Sequence, residues 1–343
     1  MGKKSNKGFS LAGAKKGISN HIIYVVLLAL IMVFIIVEPR FCSLLNVQNI
    51  LAQSSTKILI AIGAGMILVV QGVDLSAGRA VGLACVVAAS LMQTVDYAYR
   101  MYPNLPDLPL IVPFIVCIIL LAIVGLMVGF LVAFLKVPPF IATLGVQLLL
   151  YGVTSIYYSS QPSGPQPYGG IKSSITGLSN GALKIGSIRI PYLTMIAIAV
   201  AIVMWIIWNK MTFGKYMFAV GGNPEAAKVS GVNVKHVLLK VYCMAFVLYA
   251  IAAVLEVGRI GSASNGTGEG YEMDAVAACV VGGVSLSGGV GSIPGIVVGV
   301  LMFTIINYGM SFVGINMYWQ YIVKGAIILL AVILDMRKLA AKE

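Results

Sequence analysis

Residues 70 to 78 read VQGVDLSAG, and residues 281 to 289 read VGGVSLSGG. The two stretches are identical at six of nine positions, and both lie between strongly apolar runs. Glycine weakens a helix interior, and each flanking run is short for a complete bilayer crossing, which takes about 20 residues. The repeat therefore predicts two broken helices in matching positions of two halves of the chain.

The composition of the 343-residue chain indicates that these helices lie in a membrane. Hydrophobic residues make up 59% of the sequence and charged residues only 10%, so a folded form could not keep its apolar surface from water. We expect an all-α polytopic membrane protein with about ten transmembrane helices, or eight to ten where a segment does not cross fully. The ten apolar segments are Ile22 to Val37, Ile58 to Val70, Ala80 to Met92, Leu108 to Leu135, Val137 to Tyr158, Pro191 to Trp208, Val237 to Leu255, Met273 to Leu286, Ile293 to Ile306 and Met317 to Leu334.

These segments leave no room for a soluble domain, so residues 21–335 are interpreted as a single transmembrane domain. Residues 1–20 carry five lysines and are expected to be a disordered, basic cytoplasmic tail, with a second cytoplasmic tail at 336–343. Ten crossings from an inside N-terminus place fifteen Lys and Arg residues inside and seven outside. This bias predicts that both termini are cytoplasmic. The net charge of +12 then reflects topology and anionic lipid, and we expect no nucleic acid partner.

Residues that carry catalysis or bind metals are scarce and dispersed. The five cysteines are scattered without a C-x-x-C pair, and the only two histidines are His21 and His236. A zinc site needs three or four converging ligands. The sequence also lacks a phosphate-binding loop with its Gly-Lys-Ser/Thr ending. We therefore expect no catalytic residue, metal site, cofactor or nucleotide site in this chain.

The longest segment between apolar runs covers residues 209–236 and is expected to be a cytoplasmic loop. Within it, GGNPEAAKVSG carries the signals of a short helix. Asn223 can cap the first turn, and Pro224 suits the first helical position. Glu225 favours the positive end of the helix dipole, and Gly231 can end the helix. This helix is either a capped connector or a surface that receives force from a soluble partner.

Part of this helix resembles the EAA-x-x-x-G signature of permease subunits in binding-protein-dependent ABC importers. In that family a short coupling helix docks in a groove on the ATPase. The Ile-x-Leu-Pro of the fuller signature is missing, which favours the branch that imports monosaccharides. The resemblance implies that the following residues couple the chain to an ATPase, with Ala226 and Ala227 leaving a face free of bulky side chains: Gly222, Asn223, Pro224, Glu225, Ala226, Ala227 and Gly231.

Two longer motifs of the monosaccharide branch are also present. GVDLSAG at 72–78 is similar to its early G-x-D-L-S-x-G, and YEMDAVAACVVGGVSLSGG at 271–289 is similar to its late motif. Stretches such as FGKYMFAVGGNPEAAKVSGVNV and YWQYIVKGAI are similar to permeases of galactose/methyl-galactoside importers. The likeness runs from about Ile23 to Leu334, nearly the whole chain.

The resemblance implies a membrane-spanning permease subunit that moves a monosaccharide inward while another subunit hydrolyses ATP. The implied sugar is galactose or methyl-galactoside, with glucose as a further candidate, and the implied location is the bacterial plasma (inner) membrane. The implied partners are a second copy of the chain, a cytoplasmic ATP-binding subunit with two nucleotide domains in one polypeptide, and an external or periplasmic sugar-binding protein. A ribose- or xylose-type permease and an ion-coupled secondary transporter remain the alternatives.

Asp74 is the most unusual residue of the repeat, because a carboxylate in hydrocarbon costs from about 3 kcal/mol upward. It lies either beside a transport pathway at a helix break or in a cytoplasmic turn, where Asp74 and Arg79 would be in water. Carboxylate and hydroxyl groups suit a neutral sugar, which needs hydrogen-bond partners and no counter-ion. The pathway interpretation selects six polar residues: Gln71, Asp74, Ser76, Ser285, Ser287 and Asn307.

Polar residues outside the repeat indicate two further roles. Lys324 follows several aromatic residues at the start of a span, which predicts that its amine extends to the membrane interface. Residues 159–170 and 262–272 are expected to be flexible external loops. They are candidate docking surfaces for the sugar-binding protein.

Overall fold

A computed structural model describes residues 22–186 and 188–340, and these residues are mostly helical. The predicted tail at 1–20 lies outside the described residues. In chain order the elements are α1 (Ile22–Val37), a 3-10 helix (Pro39–Cys42), α2 (Leu44–Val69), α3 (Ala77–Leu91), α4 (Ile111–Ala133), α5 (Pro139–Ser159), α6 (Ser173–Asn180), β1 (Ala182–Ile185), β2 (Ile188–Pro191), α7 (Tyr192–Lys210), α8 (Thr212–Gly222), α9 (Pro224–Val229), α10 (Val234–Ile260), α11 (Tyr271–Val281), α12 (Ile293–Phe312) and α13 (Met317–Ala340).

Each of the ten apolar segments predicted from the sequence overlaps one helix of the structure. Six of the described helices are long and apolar enough to cross a membrane, namely α2, α4, α5, α7, α10 and α12. Helices α3 and α13 carry shorter apolar stretches, and α11 has only 11 residues. The prediction of a helical, polytopic membrane protein is therefore confirmed.

Helices α2 and α10 form the centre of the described structure. The second half of α2 is buried, and α10 packs against α2, α3 and α4. Glycines permit this close packing, because a side chain at Gly63 would collide with Tyr249 of α10, and one at Gly125 of α4 would collide with the carbonyl oxygen of Tyr242. Close contacts through small residues are typical of helices packed in a membrane.

Helices α4, α5, α7 and α13 present apolar side chains outward. Ile123, Leu148, Ile202 and Leu329, one on each of these helices, are all more than half exposed. A soluble protein rarely exposes so much apolar surface, whereas a membrane protein turns it toward lipid. These helices therefore surround the buried centre on its lipid side.

The all-α expectation is wrong at one place. Strands β1 and β2 form an antiparallel hairpin in which Ile185 pairs with Ile188, and Gly186 in the turn has a φ of 61°. Glycine supplies that positive φ without a steric cost, and branched residues favour the strands. Each strand has only four residues, so its alternation is too short to stand out in the sequence beside long helical patterns.

The segment 209–236 contains more helix than the expected loop. The eleven-residue α8 precedes α9 within it, and α10 begins at Val234. Apolar residues of the sequence FGKYMFAVGG, such as Met217 and Val220, form the buried side of α8. At the other end of the chain, position 336 lies inside α13, which continues to Ala340.

Both repeat stretches interrupt helices at the predicted positions. The first separates the end of α2 at Val69 from the start of α3 at Ala77. The second separates the end of α11 at Val281 from the start of α12 at Ile293. The longer helix precedes the break in the first half and follows it in the second, so the two halves are not simple copies.

Candidate functional site

The two breaks meet each other and the segment that leads into α9. The Gly289 N–H donates to the Val69 carbonyl oxygen at 2.9 Å, which joins the second break to the end of α2. The Gln71 Nε2 donates to the carbonyl oxygen of Gly221 at 2.8 Å. A side chain at Gly221 would collide with the carbonyl oxygen of Val69 and crowd the Gly289 nitrogen. We call the meeting of Val69–Gln71, Gly221–Gly222 and Gly288–Gly289 the glycine junction.

Asp74 is buried in the first break, with 1% of its surface exposed. Its Oδ1 accepts hydrogen bonds from the Ser76 backbone N–H at 2.8 Å and from the Ser76 hydroxyl at 2.6 Å. Its Oδ2 accepts from the Tyr249 hydroxyl of α10 at 3.0 Å. Asp74 and Ser76 therefore order the entry to α3 and attach it to α10, and the interpretation that placed Asp74 in water is wrong.

Arg79 contacts other groups than Asp74. Its guanidinium carbon lies 4.4 Å from the ring centroid of Tyr151. One guanidinium nitrogen is 3.5 Å from Glu269 Oε2, and another donates to the Asn265 carbonyl oxygen at 3.4 Å. Arg79 thus joins the start of α3 to α5 and to the segment before α11.

The second break is shaped mainly by its backbone. Gly283, Gly288 and Gly289 have φ values of 88°, 80° and 69°, a region that residues with a side chain rarely occupy. The Ser285 N–H donates to the Val290 carbonyl oxygen at 3.0 Å, and the Ser285 Oγ accepts from the Ser287 N–H at 3.3 Å. Ser285 is buried and Ser287 is exposed.

The short helix α9 has the ends that the sequence predicts. The Asn223 Oδ1 accepts from the Ala226 N–H at 2.9 Å, and Pro224 occupies the first helical position. At the other end, Gly231 has a φ of 84° and its N–H donates to the Lys228 carbonyl oxygen at 3.0 Å. The predicted helix and its two end signals are therefore confirmed.

One face of α9 points away from the rest of the chain. Glu225 and Ala226 are exposed, and the Val229 side chain is 89% exposed. Ala227 is buried against the rest of the chain, so only one of the two alanines contributes to the free face. We call Glu225, Ala226 and Val229 the α9 face.

A polar cleft of about 920 Å³ lies between α2, the start of α11, α12 and α13. Asp274 lies within it between two lysines, with Oδ1 2.9 Å from Lys324 Nζ and Oδ2 3.4 Å from Lys57 Nζ. The expectation that Lys324 extends to the interface is wrong, because its amine is held by this carboxylate. Asn307 lines the cleft. The other five predicted pathway residues lie at the two breaks.

A buried ion pair supports one wall of the cleft. Glu256 of α10 is 1% exposed and accepts hydrogen bonds from Arg259, from the Thr56 hydroxyl at 2.7 Å and from the Tyr271 hydroxyl at 2.8 Å. Tyr271 lines the cleft beside Lys57, whose Nζ is 5.9 Å from its ring centroid. The network therefore fixes α2, α10 and α11 relative to one another.

The sequence interpretation singled out Lys324 but missed Lys57 and Asp274, the other charged residues of the ion-pair group in this cleft. A usable signal was present, because Lys57 is a charge directly before the apolar segment that begins at Ile58. Tyr271 and Asp274 are also spaced by three residues, which places them on one helix face. Among residues 22–186 and 188–340, no group of three or more His, Cys, Asp or Glu side chains is placed to hold a metal ion.

The two candidate docking loops are joined to each other. The Tyr168 N–H donates to the Ala263 carbonyl oxygen at 2.8 Å, and the Ala263 N–H donates to the Tyr168 carbonyl oxygen at 3.1 Å. Tyr168 is completely buried. Residues 159–170 and 262–272 therefore form one surface, and the second loop continues into the cleft through Glu269 and Gly270.

Comparison with known proteins identifies the kind of membrane protein. A family described as "Branched-chain amino acid transport system / permease component" matches residues 46–332, which is most of the chain. The chain belongs to this permease family. The resemblance to importer permeases is thus confirmed, and the permease is a multi-pass protein of the bacterial inner membrane and a transport component.

Curated relatives match the permease over nearly its full length. It is 50% identical over 321 residues to the galactose/methyl galactoside import permease protein of Escherichia coli K12, covering 94% of this chain and 95% of that protein. The Haemophilus influenzae protein of the same name is 46% identical over 340 residues, covering 99% of each chain. The ribose import permease protein of Escherichia coli K12 is 34% identical over 320 residues, covering 92% of each. No solved structure matches the permease.

Proposed function

We propose that the permease carries galactose and methyl-galactoside, with glucose as a further substrate, inward across the membrane as part of an ATP-driven ABC importer. The observation that carries this proposal is the 50% identity to a galactose/methyl galactoside import permease over 94% of the chain. Identity to a ribose import permease is lower, at 34%. In this proposal the chain has no catalytic site and requires no cofactor, because ATP is hydrolysed on a separate subunit.

The proposed topology has ten crossings and both termini in the cytoplasm. The overlap of the ten apolar segments with ten helices supports it, with the eleven-residue α11 crossing only together with the segment that precedes it. The excess of Lys and Arg on the expected inner side also supports it. Residues 21–335 then form the transmembrane domain, with tails at 1–20 and 336–343, and residues 209–236 face the cytoplasm. The glycine junction would lie toward that side, because Gly221 belongs to this segment.

The α9 face is the proposed contact with the ATP-binding subunit, which would carry two nucleotide domains in one polypeptide. Residues Gly222 to Ala227, with Gly231, hold this face in place. The glycine junction supports a route for force, since Gly221 directly precedes α9 and touches both breaks. A movement of α9 would therefore shift the ends of α2 and the second break together and switch which side of the membrane is open.

The sugar pathway is proposed to run past the breaks and through the cleft, beside a second copy of the permease. Gln71, Asp74, Ser76, Ser285 and Ser287 belong to the moving breaks, and Asn307 belongs to the cleft. The joined loops at 159–170 and 262–272 are the proposed surface for an external sugar-binding protein. Their continuity with the cleft rim supports this, because delivered sugar would enter there.

The test of the proposed substrate is competition in the complete importer. We expect that uptake of labelled galactose into proteoliposomes holding the permease, its ATPase and its binding protein is inhibited by methyl-galactoside and by glucose. Ribose and xylose should compete much less. Stronger inhibition by ribose than by methyl-galactoside would overturn the galactose proposal in favour of a ribose-type permease.

The test of the coupling surface is the substitution Glu225→Lys. Loss of the helix-dipole interaction costs only about 0.3–1 kcal/mol, too little to unfold the permease. Uptake should nevertheless fall steeply, because a cation would replace the carboxylate on the α9 face. We expect Glu225→Gln to be intermediate, and Glu38→Lys to have little effect on uptake, because Glu38 is a partly buried residue that follows α1 and does not belong to the α9 face. Normal ATPase retention and uptake in Glu225→Lys would make α9 a capped connector.

A further inference from the structure

Asp274 and its two lysines form an unusual polar group for the interior of a membrane protein. The side chains of Lys57, Asp274 and Lys324 are 22%, 15% and 21% exposed, so they reach the cleft while remaining mostly enclosed. Two ammonium groups carry more hydrogen-bond donors than one carboxylate can accept. The group therefore has donors left for a ligand hydroxyl, and its charges are held by mutual attraction.

Asn307 supplies an acceptor in the same cleft. Its Oδ1 is buried and has no hydrogen-bond partner among the described residues. A buried amide oxygen without a partner costs about 1–3 kcal/mol, so a turn of the Asn307 side chain toward the cleft, where a ligand hydroxyl donates to Oδ1, would recover that cost. Ser311, one turn further along α12, also lines the cleft. Donors and acceptors thus lie around a shared space on four helices, α2, α11, α12 and α13.

The cleft has room and suitable walls for a monosaccharide. Its volume of about 920 Å³ lies at the upper end of the roughly 300–1,000 Å³ typical of small-molecule sites, so it admits such a sugar together with water. Tyr271, Tyr308, Phe312 and Tyr321 place aromatic rings around the polar group. Aromatic rings cover apolar C–H faces of a ligand, while charged groups and amides bond its hydroxyls. A pyranose ring has both kinds of surface.

The opening of the cleft lies next to the joined external loops. Glu269 and Gly270 line the cleft and belong to the 262–272 loop, whose Ala263 pairs with Tyr168. The Glu269 side chain is 71% exposed, so it marks the rim. A ligand released at the loops would reach Asp274 without crossing the buried centre of the permease.

We propose that the permease has its own sugar-binding site in this cleft, with Asp274, Lys57 and Lys324 bonding hydroxyls of a neutral pyranose and Asn307 accepting from a further hydroxyl. The proposal rests on the proposed function, because it identifies the sugar contact of the same import pathway. It assigns recognition to this chain as well as to the external binding protein. A site of this kind would hold the sugar after delivery and before inward release.

The first test uses a reporter cysteine in the complete importer. Cys42 is exposed and Cys243 partly exposed, so both are replaced by serine, while the other three cysteines are buried. Ser311→Cys is then labelled with a small, charged thiol reagent in the presence of increasing D-galactose. We expect the sugar to slow labelling at Ser311→Cys. The exposed loop variant Asn104→Cys should be labelled at a rate that D-galactose does not change.

The second test changes the proposed contacts in the Ser311→Cys background. Asp274→Asn removes the carboxylate, and we expect the concentration of D-galactose that gives half protection to rise roughly tenfold or more. Asn307→Leu removes the acceptor without disturbing an ion pair, and it should also raise the D-galactose concentration that gives half protection. Asp107→Asn is the matched control, because Asp107 pairs with Lys172 outside the cleft. This control should leave protection unchanged.

The outcomes separate this proposal from the proposed import of galactose. If D-galactose leaves labelling unchanged in an importer that transports galactose normally, the site is overturned and the function stands. Unchanged protection in both Asp274→Asn and Asn307→Leu would also overturn it. Protection in an importer that does not transport galactose would support the site and count against galactose as the transported substrate.

Discussion

The two repeat stretches share six of nine residues, yet the structure holds them in different ways. In the first stretch, the buried carboxylate of Asp74 fixes the local structure, because it accepts hydrogen bonds from Ser76 and from Tyr249. In the second, the equivalent position is Ser285, and three glycines with positive φ set the path of the backbone. One half therefore depends on a side chain and the other on backbone freedom.

This difference explains where charge is needed in the repeat. The first break must attach a following helix, α3, to α10 at depth, and a carboxylate can accept from a backbone N–H and a phenol at once. The second break instead has to approach Val69 and Gly222 closely, which a side chain would prevent. The repeat thus preserves a bend in both halves, while the residues that differ serve different neighbours.

The largest expected effect comes from the residue that both breaks share. Gly221→Ala adds a methyl group against the Val69 carbonyl oxygen, so α2 or the second break must move. We expect a loss of roughly 3 kcal/mol of stability or more, because backbone has to move, measured as a lower thermal unfolding temperature of the purified permease. Gly222→Ala is the matched control, because no atom lies within 4 Å of the added methyl group. Equal stability of the two variants would contradict a close contact at Gly221.

An intermediate effect is expected from the position where the repeats differ in charge. Asp74→Asn puts an amide where two oxygens accept hydrogen bonds, so one donor loses its partner, at a cost of about 1.5–3 kcal/mol. Ser285→Ala removes a neutral acceptor, at a cost of about 0.5–1.5 kcal/mol. Thermal unfolding and galactose uptake should both fall further in Asp74→Asn. A larger loss in Ser285→Ala would reverse the comparison.

The smallest effect is expected at Gln71, whose equivalent in the second repeat is Gly282. Gln71 has a φ of 64°, whereas Gly282 has a φ of −70°. Gln71→Gly relieves the strain of a positive φ but loses the bond to Gly221, so the change in unfolding free energy should be near zero. Gln71→Ala keeps the strain and loses the bond, and should be less stable by about 0.5–1 kcal/mol. Equal stability of the two variants would mean that the backbone at position 71 is not strained.

Local features of this fold could be predicted from the sequence, because their causes lie within a few residues. The cap at Asn223 and the stop at Gly231 are of this kind, as are the ten apolar segments. The cleft could not be predicted, because Lys57 and Asp274 are 217 positions apart. The glycine junction likewise joins residues from three distant segments. Sequence patterns identified which polar residues were unusual but not which of them meet.

The positions of the ion pairs along the chain have a consequence for how the permease enters the membrane. Glu256 and Arg259 are one turn apart on α10, so they neutralise each other as soon as that helix forms. A lone charge at a helix centre raises the insertion free energy by about 2.5–3.5 kcal/mol, whereas this pair lies in the last turns of α10, where the cost is smaller. Lys57 has no acidic partner one turn away on its own helix. Its partner is Asp274, which is synthesised much later. The charge near the middle of α2 is therefore neutralised by this carboxylate only once α11 has joined it.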